Sequence, residues 1–207
     1  MGDAVSELAS WSDLEIDALK ELTNIGVGRA SGILSEMAAA EIKLSVPELL
    51  FADPKTLAAT LNSEFEGEAL GVSQSFKGPF SGMATLVFVD KASTQLIEIM
   101  LGEEGANISP ELEAEALEEI GNIVLNGSLG AMADSFSTEL RVDLPIVIKG
   151  DLTRVMSSEM QDDGWQLFLV RVALQSDPIG IGGLIVLTLA PGQSSNLRKL
   201  INDLLAA

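Results

Sequence analysis

One polar pattern occurs twice in this sequence, and its spacing constrains the fold more than any other feature. The pattern is an acid, a glutamate four residues later, an asparagine three residues after that, and a distant proline. The copies, 98 residues apart, are Asp17, Glu21, Asn24 and Pro47, then Glu115, Glu119, Asn122 and Pro145. In both copies 22 residues separate the asparagine from the proline. This repetition indicates that two halves of one fold carry the same local structure.

The similarity between the halves extends beyond the pattern. From residue 17 to residue 47, eight of 31 positions are identical to the position 98 residues later. Further along, residues 82–89 align with residues 183–190 at an offset of 101, which indicates a small difference in loop length. With only two copies, we predict an internal duplication inside one domain and not a solenoid. The predicted domain covers residues 1–207, with repeats at about 13–101 and 110–205.

Composition limits the chemistry that this chain can perform. It has 207 residues, of which 47% are hydrophobic, so one domain can bury a substantial core. Cysteine, histidine and tyrosine are all absent. Their absence excludes Ser-His-Asp and Cys-His nucleophilic catalysis and histidine-based zinc sites. An enzyme made from this sequence works with carboxylates, amides and hydroxyls, or uses groups that a partner supplies.

The charge of the chain bears on its partners and location. A net charge of −19 argues against binding nucleic acid or an anionic membrane surface through a basic patch. The acidic surface serves either solubility or attraction to cationic groups on a partner. We expect no signal peptide, no membrane insertion and a cytoplasmic location, because no segment has the required apolar run. A carboxylate-only metal enzyme is a weaker interpretation, because no segment shows EF-hand spacing, and we expect no metal site.

Periodicity predicts an α+β fold of two pseudo-symmetric αβββα repeats, with a central sheet and exposed motif helices. Apolar spacing predicts a long helix from about Asp13, with apolar positions at Leu14, Ala18, Leu22, Ile25, Ile33, Leu34 and Met37. The other predicted first-half elements are a strand at Ile42–Val46 with Pro47 at an edge or strand end, a short helix at 53–62, strands at 69–76 and 83–89, and a helix at 92–101. The predicted second-half elements are a helix at 110–136, strands at 139–144, 165–174 and 184–189, and a helix at 194–205.

Glycines are frequent in two segments, and neither favours a phosphate-binding loop. Residues 26–32 follow a helical pattern, whereas a phosphate loop needs a strand before the glycines and a helix after them. Close approach of two helices at small residues explains this segment better. Residues 178–183 lie between two predicted strands, so we interpret them as a hairpin turn.

Each polar pattern forms one stripe on its helix. Positions i, i+4 and i+7 fall within roughly 60° of each other at about 100° per residue. Two acids four residues apart repel by a few tenths of a kcal/mol, and asparagine is a weak helix former. One such stripe is most simply an ordinary solvated helix face. Two copies at a fixed distance from proline favour a functional site, because locally unfavourable residues persist where a site needs them.

The repeated stripe resembles the CheC/CheX/FliY family of response-regulator phosphatases. The family pattern is Asp or Ser, then Glu, Asn and Pro at the spacing seen here. The first copy matches it at Asp17, Glu21, Asn24 and Pro47. The second copy matches at Glu119, Asn122 and Pro145, but Glu115 replaces the usual Asp or Ser. Two copies in about 200 residues are typical of CheC-type members.

The resemblance implies a mechanism that needs neither histidine nor cysteine. Members of the family hydrolyse the aspartyl-phosphate of a CheY-like receiver domain, which supplies the electrophile, a lysine and its own Mg²⁺. By resemblance, Asn24 and Asn122 orient the attacking water, and Glu21 and Glu119 pair with the receiver's lysine. Asp17, Glu115, Pro47 and Pro145 have supporting roles. No cofactor of the chain's own is implied.

A second hypothesis remains open beside the phosphatase. The chain is then a non-catalytic binding module for a phosphorylated receiver, or for a CheD-like deamidase of the kind that CheC proteins bind. The departure at Glu115 keeps this hypothesis in play, since it leaves the equality of the two sites undecided.

Overall fold

The computed structural model describes residues 11–39, 41–52, 68–88, 92–101, 108–157, 166–176 and 179–207. Its helices are α1 (Asp13–Ala38), α2 (Ala92–Leu101), α3 (Pro110–Ser135), α4 (Leu152–Ser157) and α5 (Ser194–Leu205). Its strands are β1 (Lys43–Ala52), β2 (Ala69–Lys77), β3 (Gly82–Phe88), β4 (Arg141–Val142), β5 (Ile146–Gly150), β6 (Gln166–Ser176) and β7 (Ile179–Leu189).

Serine caps define where the two long helices begin. At α1 the Ser12 hydroxyl accepts a hydrogen bond from the Glu15 N–H, and the Glu15 carboxylate accepts one from the Ser12 N–H. At α3 the Ser109 hydroxyl accepts from the Leu112 N–H, with Pro110 in the first turn. These caps satisfy backbone donors that a helix start otherwise leaves unpaired. Both motif stripes therefore begin about one turn inside a well-defined helix start.

The strands form one antiparallel sheet in the order β1-β6-β7-β3-β2, with β4 and β5 both paired to β2 at the far edge. The α+β prediction with a central sheet is confirmed. At the centre of the sheet, Thr85 of β3 lies opposite Val186 of β7, which is the residue 101 positions later. This order has the form that two related halves would produce, and the duplication itself stays a prediction.

The core lies between the sheet and the two long helices. Leu19 and Leu22 of α1 are buried with Leu117 and Ile120 of α3, and both pairs belong to the same apolar cluster as Val72 of β2. On the opposite face of the sheet, α4 contributes Leu152, Val155 and Met156 to a second cluster with Val87 and Val186. Strand β3 is buried along its whole length because both of its faces are covered.

Helices α1 and α3 cross where their side chains are smallest. A Cβ atom built on Gly26 would lie 2.4 Å from Ser128 Cα and 2.7 Å from the Gly127 carbonyl oxygen. The predicted close approach at small residues is therefore confirmed at Gly26. It is wrong for Gly28 and Gly32, where an added Cβ would meet nothing within 4 Å.

Several element predictions need correction. The strand predicted at 139–144 is the two-residue β4, and pairing with β2 resumes at β5 beyond Pro145. The hairpin predicted around residues 178–183 is confirmed by the antiparallel pairing of β6 with β7, but residues 179–183 belong to β7 and not to the turn. Helix α4 was not predicted. The short helix predicted at 53–62 lies outside the described residues.

The predicted apolar pattern of α1 is confirmed only in part. Leu14, Ile25, Ile33 and Met37 are exposed, by 61, 40, 47 and 47% respectively. Leu22 and Leu34 are buried as predicted, and they form the buried face together with Leu19, Val27 and Ala30. Helix α1 therefore has apolar side chains on both its inner and its outer surface.

Candidate functional site

The first stripe lies on the outer face of α1. Asp17 and Glu21 are exposed and Asn24 is half-buried, whereas Leu22 and Val27 between and beyond them are buried. Among the described residues, the Asn24 carboxamide makes no hydrogen bond. Because Asn24 is only half-buried, part of its side chain is accessible to another molecule.

The second stripe occupies the corresponding face of α3. Glu115 and Glu119 are exposed and Asn122 is half-buried. The helix residues on the opposite side, Leu117, Ile120 and Val124, belong to the core. Neither asparagine lies in the hydrophobic interior, and each shares a helix face with its glutamate.

Asn122 differs from Asn24 because its carboxamide oxygen is already hydrogen-bonded. Asn122 Oδ1 accepts from Asn126 Nδ2 at 2.6 Å and from Gln74 Nε2 at 3.1 Å. Gln74 lies on β2, directly beneath α3, and only 2% of its surface is exposed. Its own amide nitrogen also donates to the Asp143 carbonyl oxygen at 3.3 Å.

Asp143 is in turn fixed by the sheet edge. Its N–H donates to the Ser75 carbonyl oxygen at 2.9 Å, and its carboxylate accepts from the Ser75 hydroxyl at 2.5 Å. Gln74 Oε1 is buried and has no partner among the described residues. An unpaired buried acceptor costs about 1–3 kcal/mol, so Gln74 is a locally unfavourable residue that lies beneath a candidate site.

Both motif prolines lie where an edge strand interrupts its pairing. Pro47 falls within β1, between Ser45 and Glu48, where the register with β6 shifts. Pro145 separates β4 from β5, opposite the Gln74 region of β2. Proline has no N–H to give to a ladder, which suits both positions. The predicted edge location of Pro47 is confirmed, but it does not end its strand.

Exposed apolar residues flank the two stripes. Leu14 precedes Glu21 by two helical turns and is 61% exposed, and Leu112 has the same relation to Glu119 and is 39% exposed. Ile25 follows Asn24 and is 40% exposed. A convex helix face with apolar borders cannot enclose a small molecule, but it can contact a protein surface.

The most strongly perturbed carboxylate lies outside the stripes. Arg198 binds Glu15 through Nε–Oε1 at 2.6 Å and Nη2–Oε2 at 3.2 Å, and this lowers the Glu15 pKa to about 2. Asn202 and Ser12 add further hydrogen bonds to the same carboxylate. Because α5 supplies Arg198 and Asn202, this cluster joins the start of α1 to the C-terminal helix.

Two other features of the described residues bear on function. No group of three or more acidic side chains in the described ranges is arranged to hold a metal ion. None of the five described helices combines the length and apolar composition that crossing a bilayer requires.

Sequence reasoning missed Gln74, Asn126 and Asp143. A signal for Gln74 exists, because Leu70, Val72 and Phe76 alternate on the buried face of β2 and Gln74 interrupts them with a polar side chain. Asn126 and Asp143 carry no comparable signal, since polar residues on an exposed helix face and beside a proline are common.

Comparison with known proteins points to CheC-like proteins. A family model described as CheC-like matches residues 14–50, the segment that contains the first motif copy. A curated relative is the flagellar motor switch phosphatase FliY of Bacillus subtilis, which is 22% identical over 174 residues. That alignment covers 83% of this chain and 45% of the relative, so this chain spans less than half of that FliY.

A second curated relative is the CheC1 protein of Halobacterium salinarum, which is 23% identical over 65% of this chain and 68% of its own length. Among solved structures, Thermotoga maritima FliY superposes with a TM-score of 0.73 at 18% identity, covering 95% of this chain and 98% of that one. The resemblance to CheC-like proteins that the repeated motif predicted is therefore confirmed, in sequence by the family model and in fold by the FliY structure.

Proposed function

We propose that this protein hydrolyses the aspartyl-phosphate of a CheY-like receiver domain. The observation that supports this most strongly is the pair of outward-facing stripes, each with an exposed glutamate and a half-buried asparagine one turn away. The names of two relatives point the same way. The Bacillus protein is named a flagellar motor switch phosphatase, and the Halobacterium protein is named as a candidate CheY-P phosphatase.

A protein substrate suits the shape of the stripes. Asp17, Glu21 and Asn24 project from a convex helix, so the concave part of the reaction site must come from the partner. In this proposal the receiver supplies the phosphorylated aspartate, its Mg²⁺ and its lysine, so the mechanism needs no cofactor bound by the chain itself. Leu14 and Ile25 supply apolar contact area beside the polar stripe.

The proposed chemical step is hydrolysis of an acyl phosphate. A water oxygen forms a bond to phosphorus, and the bond between phosphorus and the receiver's aspartate oxygen breaks. The electron pair of the broken bond stays on the aspartate carboxylate. The water proton passes to the released phosphate or to solvent. Phosphoryl transfer depends chiefly on positioning and electrostatics, so a carboxamide that aligns water is sufficient.

Within this mechanism the two side chains of each stripe have different tasks. The carboxamide of Asn24 can accept a hydrogen bond from water through Oδ1 and donate one through Nδ2, which fixes the direction of a water lone pair. Glu21 is exposed and anionic, so it attracts the receiver's lysine and orients the complex. Glu119 has the same task as Glu21 in the second stripe, where Asn122 offers its Nδ2 donors because its Oδ1 already accepts two hydrogen bonds.

The direct test replaces both asparagines. In the Asn24→Ala/Asn122→Ala variant we expect dephosphorylation of a CheY-type receiver, charged with acetyl phosphate, to slow by about 10²-fold or more, as loss of a key polar group does in other enzymes. Asn196→Ala is the matched control, because Asn196 lies on α5 and is exposed. Circular dichroism and urea unfolding check that each variant folds. A double variant with the parental rate would contradict the role of the amides.

A binding module is the second candidate, and the hydrogen-bonded state of Asn122 favours it at that stripe. In this case the chain docks on a phosphorylated receiver, or on a CheD-like deamidase, without hydrolysis. Calorimetric titration with receiver held in the phosphorylated state by beryllofluoride measures binding, and a phosphate-release assay measures turnover. Binding without release above the receiver's own decay would support the binding module and contradict the phosphatase.

A further inference from the structure

The two motif stripes differ in the chemical state of their asparagines. Asn122 Oδ1 accepts two hydrogen bonds, from Asn126 Nδ2 and Gln74 Nε2. A carboxamide oxygen has two lone pairs, so both are occupied. Only the Nδ2 hydrogens of Asn122 remain for an incoming molecule.

The direction of these bonds follows from Asp143. Gln74 donates to the Asp143 carbonyl oxygen, which can only accept, so the nitrogen of Gln74 must lie on that side. The same nitrogen faces Asn122, so Asn122 must present its oxygen. Asn126 must then present its nitrogen to that oxygen. Asp143 is itself held in place by two hydrogen bonds with Ser75.

At the positions equivalent to these two donors, the sequence has residues without a carboxamide. The residue 98 positions before Asn126 is Gly28, which has no side chain. The equivalent of Gln74 follows from strand register. In the second stripe's sheet region, Gln74 of β2 pairs with Ala84 of β3. The repeat offset of 101 relates Ala84 to Ile185 of β7, and Ile185 pairs with Val170 of β6. Val170 is therefore the first-stripe equivalent of Gln74. A glycine and a valine stand where the second stripe has two carboxamides.

We infer, resting on the proposed phosphatase function, that Asn24 forms the hydrolytic site and that Asn122 forms a slow site which binds the phosphorylated receiver. A water that attacks phosphorus must keep one lone pair directed at the phosphorus atom. A carboxamide oxygen that accepts a hydrogen bond from this water fixes the direction of its O–H bond and leaves both lone pairs of the water available, as Asn24 Oδ1 can. Asn122 can only donate, so it can bind a phosphoryl oxygen or a water lone pair, but it cannot fix the O–H direction of the attacking water. Asn126 and Gln74 are therefore positioning residues that keep Asn122 in its donor state.

Single-site variants provide the first part of the test. Asn24→Ala retains only the second stripe, and Asn122→Ala retains only the first. With receiver charged by acetyl phosphate, we expect kcat to fall about 10-fold or more in Asn24→Ala and less than about 3-fold in Asn122→Ala. Equal losses, or a larger loss in Asn122→Ala, would overturn the inference.

Exchanging the surrounding residues provides the second part. Asn126 is exposed, so Asn126→Ala removes one donor without opening a cavity. In the Asn24→Ala background, this change is expected to raise kcat about three-fold or more with KM unchanged, because Asn122 Oδ1 regains a lone pair. An unchanged kcat would show that Asn126 plays no part, and a lower kcat would show that Asn126 holds Asn122 in a productive state. Either result overturns the inference.

The reverse exchange places a carboxamide beside Asn24. An added Cβ at Gly28 meets nothing within 4 Å, so Gly28→Asn and Gly28→Ala should both fold. In the Asn122→Ala background, we expect Gly28→Asn to have a kcat about three-fold or more below that of Gly28→Ala, which controls for bulk. Equal kcat values in the two variants would overturn the inference. If the parental chain itself gives no acceleration, the phosphatase proposal fails; if it accelerates but these comparisons fail, only the inequality of the sites is wrong.

Discussion

At the scale of single residues, the proposed function assigns recognition to the exposed glutamates and chemistry to the half-buried asparagines. Glu21 and Glu119 project into solvent and have no described partner that would hold them. A carboxylate in this state is available to a cation on a docking protein. The contribution of such a carboxylate to receiver binding acts through long-range electrostatic attraction, so it weakens as the salt concentration rises.

Glu21→Gln/Glu119→Gln tests this division of work. The change removes two negative charges and keeps the side-chain shape. We expect KM for phosphorylated receiver to rise about 3–10-fold at low salt, with little change in kcat and a weaker dependence on ionic strength. Glu36→Gln is the control, because Glu36 is also exposed on α1 but lies about 22 Å along the helix from Glu21 at 1.5 Å per residue. A fall in kcat at constant KM would instead assign the glutamates to the chemical step.

Residue spacing in the sequence was sufficient to find the stripes but not their surroundings. The positions i, i+4 and i+7 must share a helix face, so the pattern itself predicts the geometry of Asp17, Glu21 and Asn24. The contact of Gln74 with Asn122 joins residues 48 positions apart in sequence. No local periodicity encodes that contact, because it depends on how α3 lies over β2.

At the scale of elements, the crossing of α1 and α3 fixes the two stripes relative to the sheet. The crossing requires Gly26, because an added Cβ would lie 2.4 Å from Ser128 Cα, a backbone atom that cannot turn aside. Gly28, one half-turn further along, faces open space. Packing of α1 against α3 therefore requires glycine at position 26 but not at position 28.

Alanine substitutions at these glycines have opposite expected effects. Gly26→Ala should lower the free energy of unfolding by about 1–3 kcal/mol, since overpacking at the crossing exceeds the gain in helix propensity. Gly28→Ala should raise it by up to about 1 kcal/mol, because only the propensity term acts. Urea unfolding followed by circular dichroism measures both. Similar effects at the two positions would contradict the crossing geometry.

Elements with strong periodicity were predicted from sequence, and those set by strand pairing were not. Helices α3 and α5 and strands β2 and β3 lie close to their predicted bounds. The interrupted edge of β4 and β5 depends on which residues pair with β2, and the start of β7 depends on pairing with β6. The six-residue α4 is too short for helical periodicity to appear in its sequence.

At the scale of the whole molecule, a buried ion pair joins residues far apart in the chain. Glu15 in α1 and Arg198 in α5 are 183 positions apart, and the Glu15 side chain is 3% exposed. Trp11 lies beneath the guanidinium, with its ring centroid 6.0 Å from Arg198 Cζ. This cluster attaches helix α5 to the start of helix α1.

The ion pair predicts a specific dependence of stability on pH. The Glu15 pKa is lowered from 4.5 to about 2 in the folded state, chiefly by Arg198. Its stabilising contribution is therefore complete above about pH 4.5 and is lost as the pH falls toward 2. At pH 7, Glu15→Gln should reduce the free energy of unfolding by about 2–3 kcal/mol.

At pH 2 the same variant should differ little from the parental chain, since Glu15 is then almost fully protonated in the unfolded state and about half protonated in the folded state. Glu41→Gln is the control, because the Glu41–Lys43 pair is exposed and should change stability by less than about 0.5 kcal/mol. Urea unfolding at both pH values provides the measurement. A deficit of the same size at pH 7 and pH 2 would contradict the assigned pKa.

The account depends most directly on whether the intact chain accelerates hydrolysis catalytically. The measurement is phosphate release from a CheY-type receiver charged with acetyl phosphate, with the chain present at about one-twentieth of the receiver concentration. The account predicts multiple turnovers and a rate proportional to the amount of chain added. A release rate equal to the receiver's own decay, at every concentration of folded chain, would contradict it.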